Sequence, residues 1–141
     1  MKHPTTPRRR IAFLAAALLL FGLCADATLA QELTPDARTM LRSAKTIYVR
    51  STSILVRPPV IESKLRKRSE FQQLGLVITR DPLQADLVLE VRHDLLTKYV
   101  FTAIDTRTNI VVASGKLSSL GGTVAGKVAK RFMKQVMKAR S

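Results

Sequence analysis

Hydrophobic positions along this chain change period several times, and each change marks an element. In residues 45–50, KTIYVR, β-branched and aromatic side chains alternate with polar ones, as in a half-buried strand. Residues 76–79 and 87–92 repeat the pattern, with Leu87, Leu89 and Val91 on one face. Between them Asp81 is placed to cap a single helical turn that Pro82 opens. Residues 99–104 and 110–117 read as a hairpin across Asp105-Thr106-Arg107-Thr108-Asn109, residue types that tolerate tight turns. Gly115 is expected to mark a bulge in its second arm.

Helical spacing takes over twice. Residues 60–74 read as one helix burying Ile61, Leu65 and Phe71, with Pro58 and Pro59 at its start and Gly75 in a left-handed C-terminal cap. Lys64 and Arg68 fall near the edge of that stripe and must lie along it by their stems. Residues 124–138 read as the closing helix, with Thr123 as its cap. Ile54, Leu55 and Val56 suit either a strand extension or a loop. Residues 31–44 read as a tail holding a short helix, with Thr34 as cap, Pro35 at its first position and Asp36 in its first turn.

The expected architecture is α/β (α+β): a mixed five-stranded sheet in the order β-α-β-β-β-β-α, with two helices on one face. The strand–helix–strand unit should cross right-handed with parallel strands, and the last three strands should form an antiparallel meander. Residues 76–91, LVITRDPLQADLVLEV, supply the middle of that sheet.

The chain has 141 residues, enough for one domain, and its first 30 read as a secretory signal peptide. A basic start ending in Arg8, Arg9 and Arg10 precedes an apolar run over residues 11–25, and small residues offer a cleavage point after Ala30 or Ala27. The division is thus 1–30 signal peptide, 31–44 tail and 45–141 a single α/β domain, in an exported, periplasmic or extracellular chain that can be envelope-associated. A lipoprotein reading of Cys24 is opposed by Leu23, where such signals carry Gly or Ala. Cys24 is the single cysteine, so the processed chain has no disulfide and no thiolate chemistry. Processing lowers the formal charge from +14 to +11. A basic exported domain finds its counter-surfaces in lipid headgroups, anionic envelope polymers or acidic partners, and less readily in nucleic acid.

The run TIYVRS, a helix, LVITRDPLQADLVLEV, VFTAIDTRTNIVVASG and a closing amphipathic helix resembles small bacterial envelope domains. These include the amino-terminal domain of TolB, the curli-secretion lipoprotein and the lipoprotein activators of penicillin-binding proteins. It is also similar to uncharacterised exported domains with a DP-x-x-AD-x-V-L signature, here Asp81, Pro82, Ala85, Asp86, Val88 and Leu89. The resemblance spans residues 45–140 and implies a partner or scaffold domain without catalysis. Asn109 stands where such hairpins often have Gly, and tolerates the same left-handed backbone.

No catalytic constellation can be assembled from the residue types present. Asp81 and Asp86 read as turn chemistry, capping a turn and accepting backbone N–H bonds, rather than as an acid/base or metal pair. His93 and Asp94 are neighbours on a strand end and point to opposite faces, and His93 alone cannot make a zinc site. Gly121-Gly122-Thr123 before a helix could offer N–H groups to an anion, without a phosphate-loop motif to support it. The chain is expected to be non-enzymatic, with no cofactor and no metal.

The closing helix carries the strongest signal. Its apolar arc is Val124, Ala125, Val128, Ala129, Phe132 and Val136; the opposite arc is Lys127, Lys130, Arg131, Lys134 and Lys138, with no acidic residue in the helix. Arg66 and Lys67 on the first long helix add to the same sign. These seven residues are the candidate site for an envelope protein or anionic envelope surface. The alternative is a structural subunit of a homo- or hetero-oligomeric envelope assembly.

Overall fold

Thr46–Ser51 (β1) is flanked on both sides by parallel strands, Val77–Thr79 (β2) and Leu87–His93 (β3). β3 continues into an antiparallel meander with Lys98–Asp105 (β4) and Val111–Ser118 (β5), giving the sheet order β2-β1-β3-β4-β5. The computed structural model describes residues 34–119 and 123–141. The expected signal peptide, and Gly121 and Gly122, lie outside these residues. The expected α+β sheet and meander are the ones adopted.

Among the described residues four α-helices accompany the sheet: Pro35–Ser43 (α1), Pro58–Arg66 (α2), Ser69–Gln73 (α3) and Val124–Arg140 (α4). Alternation decides where they sit. Ile47 and Val49 of β1, Leu87, Leu89 and Val91 of β3, and Tyr99, Phe101 and Ala103 of β4 are buried, and the residues between them are half-exposed. One face of the sheet is therefore core and the other is not. Ile61 and Leu65 of α2, and Val128, Phe132 and Met133 of α4, complete that core. α1 belongs to it too, since Ala37 and Leu41 are buried there, and Thr34 caps this helix by accepting from Ala37 N (3.3 Å).

The single helix expected over residues 60–74 is two. A straight helix would carry Phe71 about 100° away from the Ile61–Leu65 line. The chain instead breaks at Lys67 and Arg68, with Arg68 extended at φ −86° and ψ 131°, and Phe71 reaches the core. Gly75, at φ 62°, closes α3 as expected: Leu76 N donates to Phe71 O at 3.2 Å, and Leu76 is buried behind it.

β2 and β3 lie on opposite sides of β1 and run the same way, so the chain must cross β1 between them. Right-handed crossovers place α2 and α3 on one face and this second link on the other. Thr46 has outer-face parity, and its hydroxyl, which bonds Asp86, lies 3.1 Å from Gln84 O of the short 3-10 turn Pro82–Gln84 in that link.

The β4–β5 hairpin also corrects an expectation. Its irregularity lies opposite Ala103 and Ile104, where Val112 is the extra, fully buried residue. Gly115 pairs regularly with Phe101, and a Cβ there would lie 2.5 Å from Phe101 Cε1. The glycine makes room for the Phe101 ring. Asn109 takes the left-handed conformation at φ 57°, as its position in the turn required.

A candidate anion-facing surface on the last helix

α4 buries Val124, Ala125, Val128, Ala129, Phe132, Met133, Val136 and Ala139, the arc that its spacing predicts. Thr123 does not cap it. Its hydroxyl pairs with Ser119 Oγ and makes no capping bond to the first turn.

Along its flank α4 follows the outer edge of β5. Lys127 Nζ donates to Ser118 O (3.0 Å), Arg131 Nη1 to Lys116 O, and Gln135 Nε2 to Ser114 O (2.7 Å). The helix steps by four residues as the strand steps by two. Four helical residues rise about 6 Å and two strand residues about 6.8 Å, so the two repeats stay in phase over three bonds. These side chains occupy the carbonyls of an edge strand that would otherwise be open to another chain.

The seven residues expected to form one basic surface thus separate. Lys127 and Arg131 lean onto β5. Lys130, Lys134 and Lys138 are exposed and make no side-chain hydrogen bond or ion pair among the described residues. Arg66 is the last residue of α2 and pairs with Glu62 at 3.2 Å, while Lys67 stands exposed in the break before α3 rather than within a helix. α2 and α4 are neighbours in the fold.

Two cations that sequence reasoning missed come to the β5 side of α4. Lys98 and Lys116 join Arg131 and Asp94 around an open cavity of about 300 Å³. Beside it a second, of about 290 Å³, is lined by Thr97, Ser118, Ser119 and Lys127. The signal was present: the hairpin register sets Lys98 opposite Ser118 and Lys116 opposite Val100, so both lysines lie on its outer face.

The carboxylates have turn roles, as their positions suggested. Asp81 Oδ1 accepts from Leu83 N at 2.9 Å. Asp86 Oδ2 accepts from Lys45 N (2.8 Å), Thr46 N (2.9 Å) and Thr46 Oγ1 (2.9 Å), fixing the start of β1 from the start of β3. Burial alone would push this carboxyl up, but the Lys45 and Thr46 donors outweigh it and hold it below the usual aspartate range. His93 Nε2 donates to Leu96 O at 2.6 Å, and its ring rests against Tyr99.

At the other end of α4, Arg140 donates to Ala44 O (2.6 Å) and Leu74 O (3.1 Å), the carbonyls just past α1 and α3. A cation at two helix C-termini meets the negative end of both dipoles and stabilises them. Partial burial pulls the Arg140 guanidinium below its ordinary value.

No protein-family model matches the chain, and no curated protein matches it. Solved structures resemble it at low identity. A point variant of the PelC dodecamer from Paraburkholderia phytofirmans is 16% identical, with a TM-score of 0.42, over 65% of this chain and 88% of that one. A second crystal form of the PelC dodecamer is 13% identical, also at 0.42, over 71% and 89%. A DUF330 protein from Xanthomonas campestris is 15% identical at 0.36, over 70% and 80%. None of the three is a TolB, curli-secretion or activator protein, so that resemblance rests on its motifs. At this identity and TM-score, function has to be read from the residues themselves.

Proposed function

We propose that this chain is an exported, non-enzymatic docking domain of the bacterial cell envelope that binds an anionic partner through the exposed basic face of α4. One observation supports this above the others: Lys130, Lys134 and Lys138 are exposed and unpaired among the described residues, on a helix without a single acidic residue. Like charges at i and i+4 cost a few tenths of a kcal/mol each, so the arrangement is held against local stability. Lys98, Lys116, Lys127 and Arg131 extend the positive field around the β5 edge.

The mechanism is attraction and contact, without a chemical step. Exposed charges act over a screening length of about 8 Å at physiological salt, so binding weakens as salt rises. The test is titration of the full chain with inorganic polyphosphate at low and physiological salt, beside the triple variant Lys130→Gln, Lys134→Gln, Lys138→Gln. Equal binding by the two proteins at both salts would sink the reading.

A second reading, a structural subunit of an oligomer, draws on the outer face of the sheet. Tyr48, Val88, Ile104 and Val111 stand in register across four strands there, half-exposed or exposed. Sedimentation at two salt concentrations separates the readings, because association through this face is insensitive to salt.

A further inference from the structure

β1 and β3 are adjacent and parallel, with Ser51 opposite Val91, and Thr52 N donates to Val91 O at 3.0 Å. The loops that follow them therefore leave the sheet side by side at the same end. Each carries a pair of large aliphatic residues in water: Ile54 is 94% and Leu55 71% exposed, Leu95 65% and Leu96 89%. Single exposed apolar residues are ordinary; two such pairs, on the loops that leave adjacent strands at one end of the sheet, are not.

These tips are held in place. Leu55 N donates to Ser53 Oγ (3.3 Å), and Ser53 and Val56 are buried beneath the first loop. The second is a tight turn in which Asp94 N donates to Lys98 O (2.9 Å), and His93 donates to Leu96 O. Leu96 has φ 44°. That position favours Gly or Asn, so a leucine there is poor turn chemistry as well as poor surface chemistry. Arg57, Arg92 and Lys98 flank the tips in sequence, and both cation-lined cavities open beside the second one, at Asp94, Thr97 and Lys98.

We infer that this end of the sheet seats in an anionic lipid surface, Ile54, Leu55, Leu95 and Leu96 entering the acyl boundary while Lys98 and Lys127 meet headgroup phosphates. The inference names the anionic partner of the proposed function and rests on that reading for its charge. A bilayer is favoured over a protein because the exposed tips are aliphatic, flanked by cations and free of the tryptophan and tyrosine anchors that centre protein interfaces. Apolar insertion combined with cationic contact is how peripheral domains hold to anionic leaflets.

The test uses the full chain carrying Cys24→Ser, with an environment-sensitive fluorophore on one introduced cysteine: Leu55→Cys, Leu96→Cys, or Gln73→Cys on α3 near the opposite end of the sheet. On vesicles of equal phosphatidylglycerol and phosphatidylcholine the probes at 55 and 96 brighten and shift to the blue, while the probe at 73 does not. Phosphatidylcholine alone gives no response. The pair Leu95→Ser, Leu96→Asn weakens vesicle binding about tenfold or more and leaves polyphosphate binding unchanged.

Silent probes at 55 and 96, a response at 73 equal to theirs, or undiminished vesicle binding by the double variant each overturn the lipid seat. If polyphosphate binding through α4 persists in that case, the basic-face reading survives alone. If the tip probes respond while the wild-type chain ignores polyphosphate, the lipid seat stands and the basic face of α4 falls.

Discussion

The guanidinium of Arg131 donates to the backbone carbonyl of Lys116, tying the last helix to the exposed edge of the sheet. Arg131→Ala removes a charged donor and opens the edge. We expect a loss of about 1 kcal/mol in urea unfolding, discounted for exposure, and more association in sedimentation. Lys127→Ala should act in the same direction.

The other cations of α4 should behave in the opposite way. Replacing Lys130, Lys134 and Lys138 by Gln removes like-charge neighbours and no side-chain hydrogen bond or ion pair among the described residues, so stability holds or rises by a few tenths of a kcal/mol. Affinity for an anionic surface should fall by roughly 1 kcal/mol per lysine, about a hundredfold in all. Unfolding and binding titrations on the same protein read both effects.

Asp86 predicts an acid limb. Its folded-state carboxyl titrates below the ordinary value, so its contribution is complete above about pH 4 and is lost as pH falls through the lower folded value. Asp86→Asn should flatten that part of the stability profile. Asp86→Ala should cost about 2 to 3 kcal/mol at neutral pH, because the N–H groups of Lys45 and Thr46 lose their acceptor.

Gly115→Ala should destabilise the hairpin by about 1 to 3 kcal/mol, since the new methyl meets the fully buried Phe101 ring. Phe101→Leu in the same chain should recover part of the loss. A double-mutant cycle of unfolding free energies checks the coupling.

Leu96→Asn should raise stability by up to about 1 kcal/mol, as Asn accepts a left-handed backbone that leucine resists. A thermal melt measures it. A more stable chain that holds lipid less well would mark Leu96 as a residue kept for binding.

Local patterns were legible in the sequence. Alternation around Ile47, Leu89 and Phe101 gave the strands, and the hairpin turn at Asn109 gave the meander; residues 76–91, expected as the middle of the sheet, instead place β2 at its edge, because β1 inserts between β2 and β3. The helix break was hidden because it answers a distant demand, the need to bring Phe71 over the same core as Leu65. Lys127 and Arg131 looked like a charged stripe because their partners, the carbonyls of β5, depend on how the last helix lies along the sheet. Lys98 and Lys116 join them only once the hairpin register is known. Leu95 and Leu96 passed unnoticed because apolar residues near strands are usually inside.

Eight core side chains come from α4, and Arg140, the penultimate residue, ties off the ends of α1 and α3. The strands and the first three helices therefore cannot close the core by themselves, because one side of it is supplied by α4 alone. Losing those seventeen residues would uncover Phe101 and Ile61 and free the carbonyls of Ala44 and Leu74 in one step, so α4 works as the clasp of the domain.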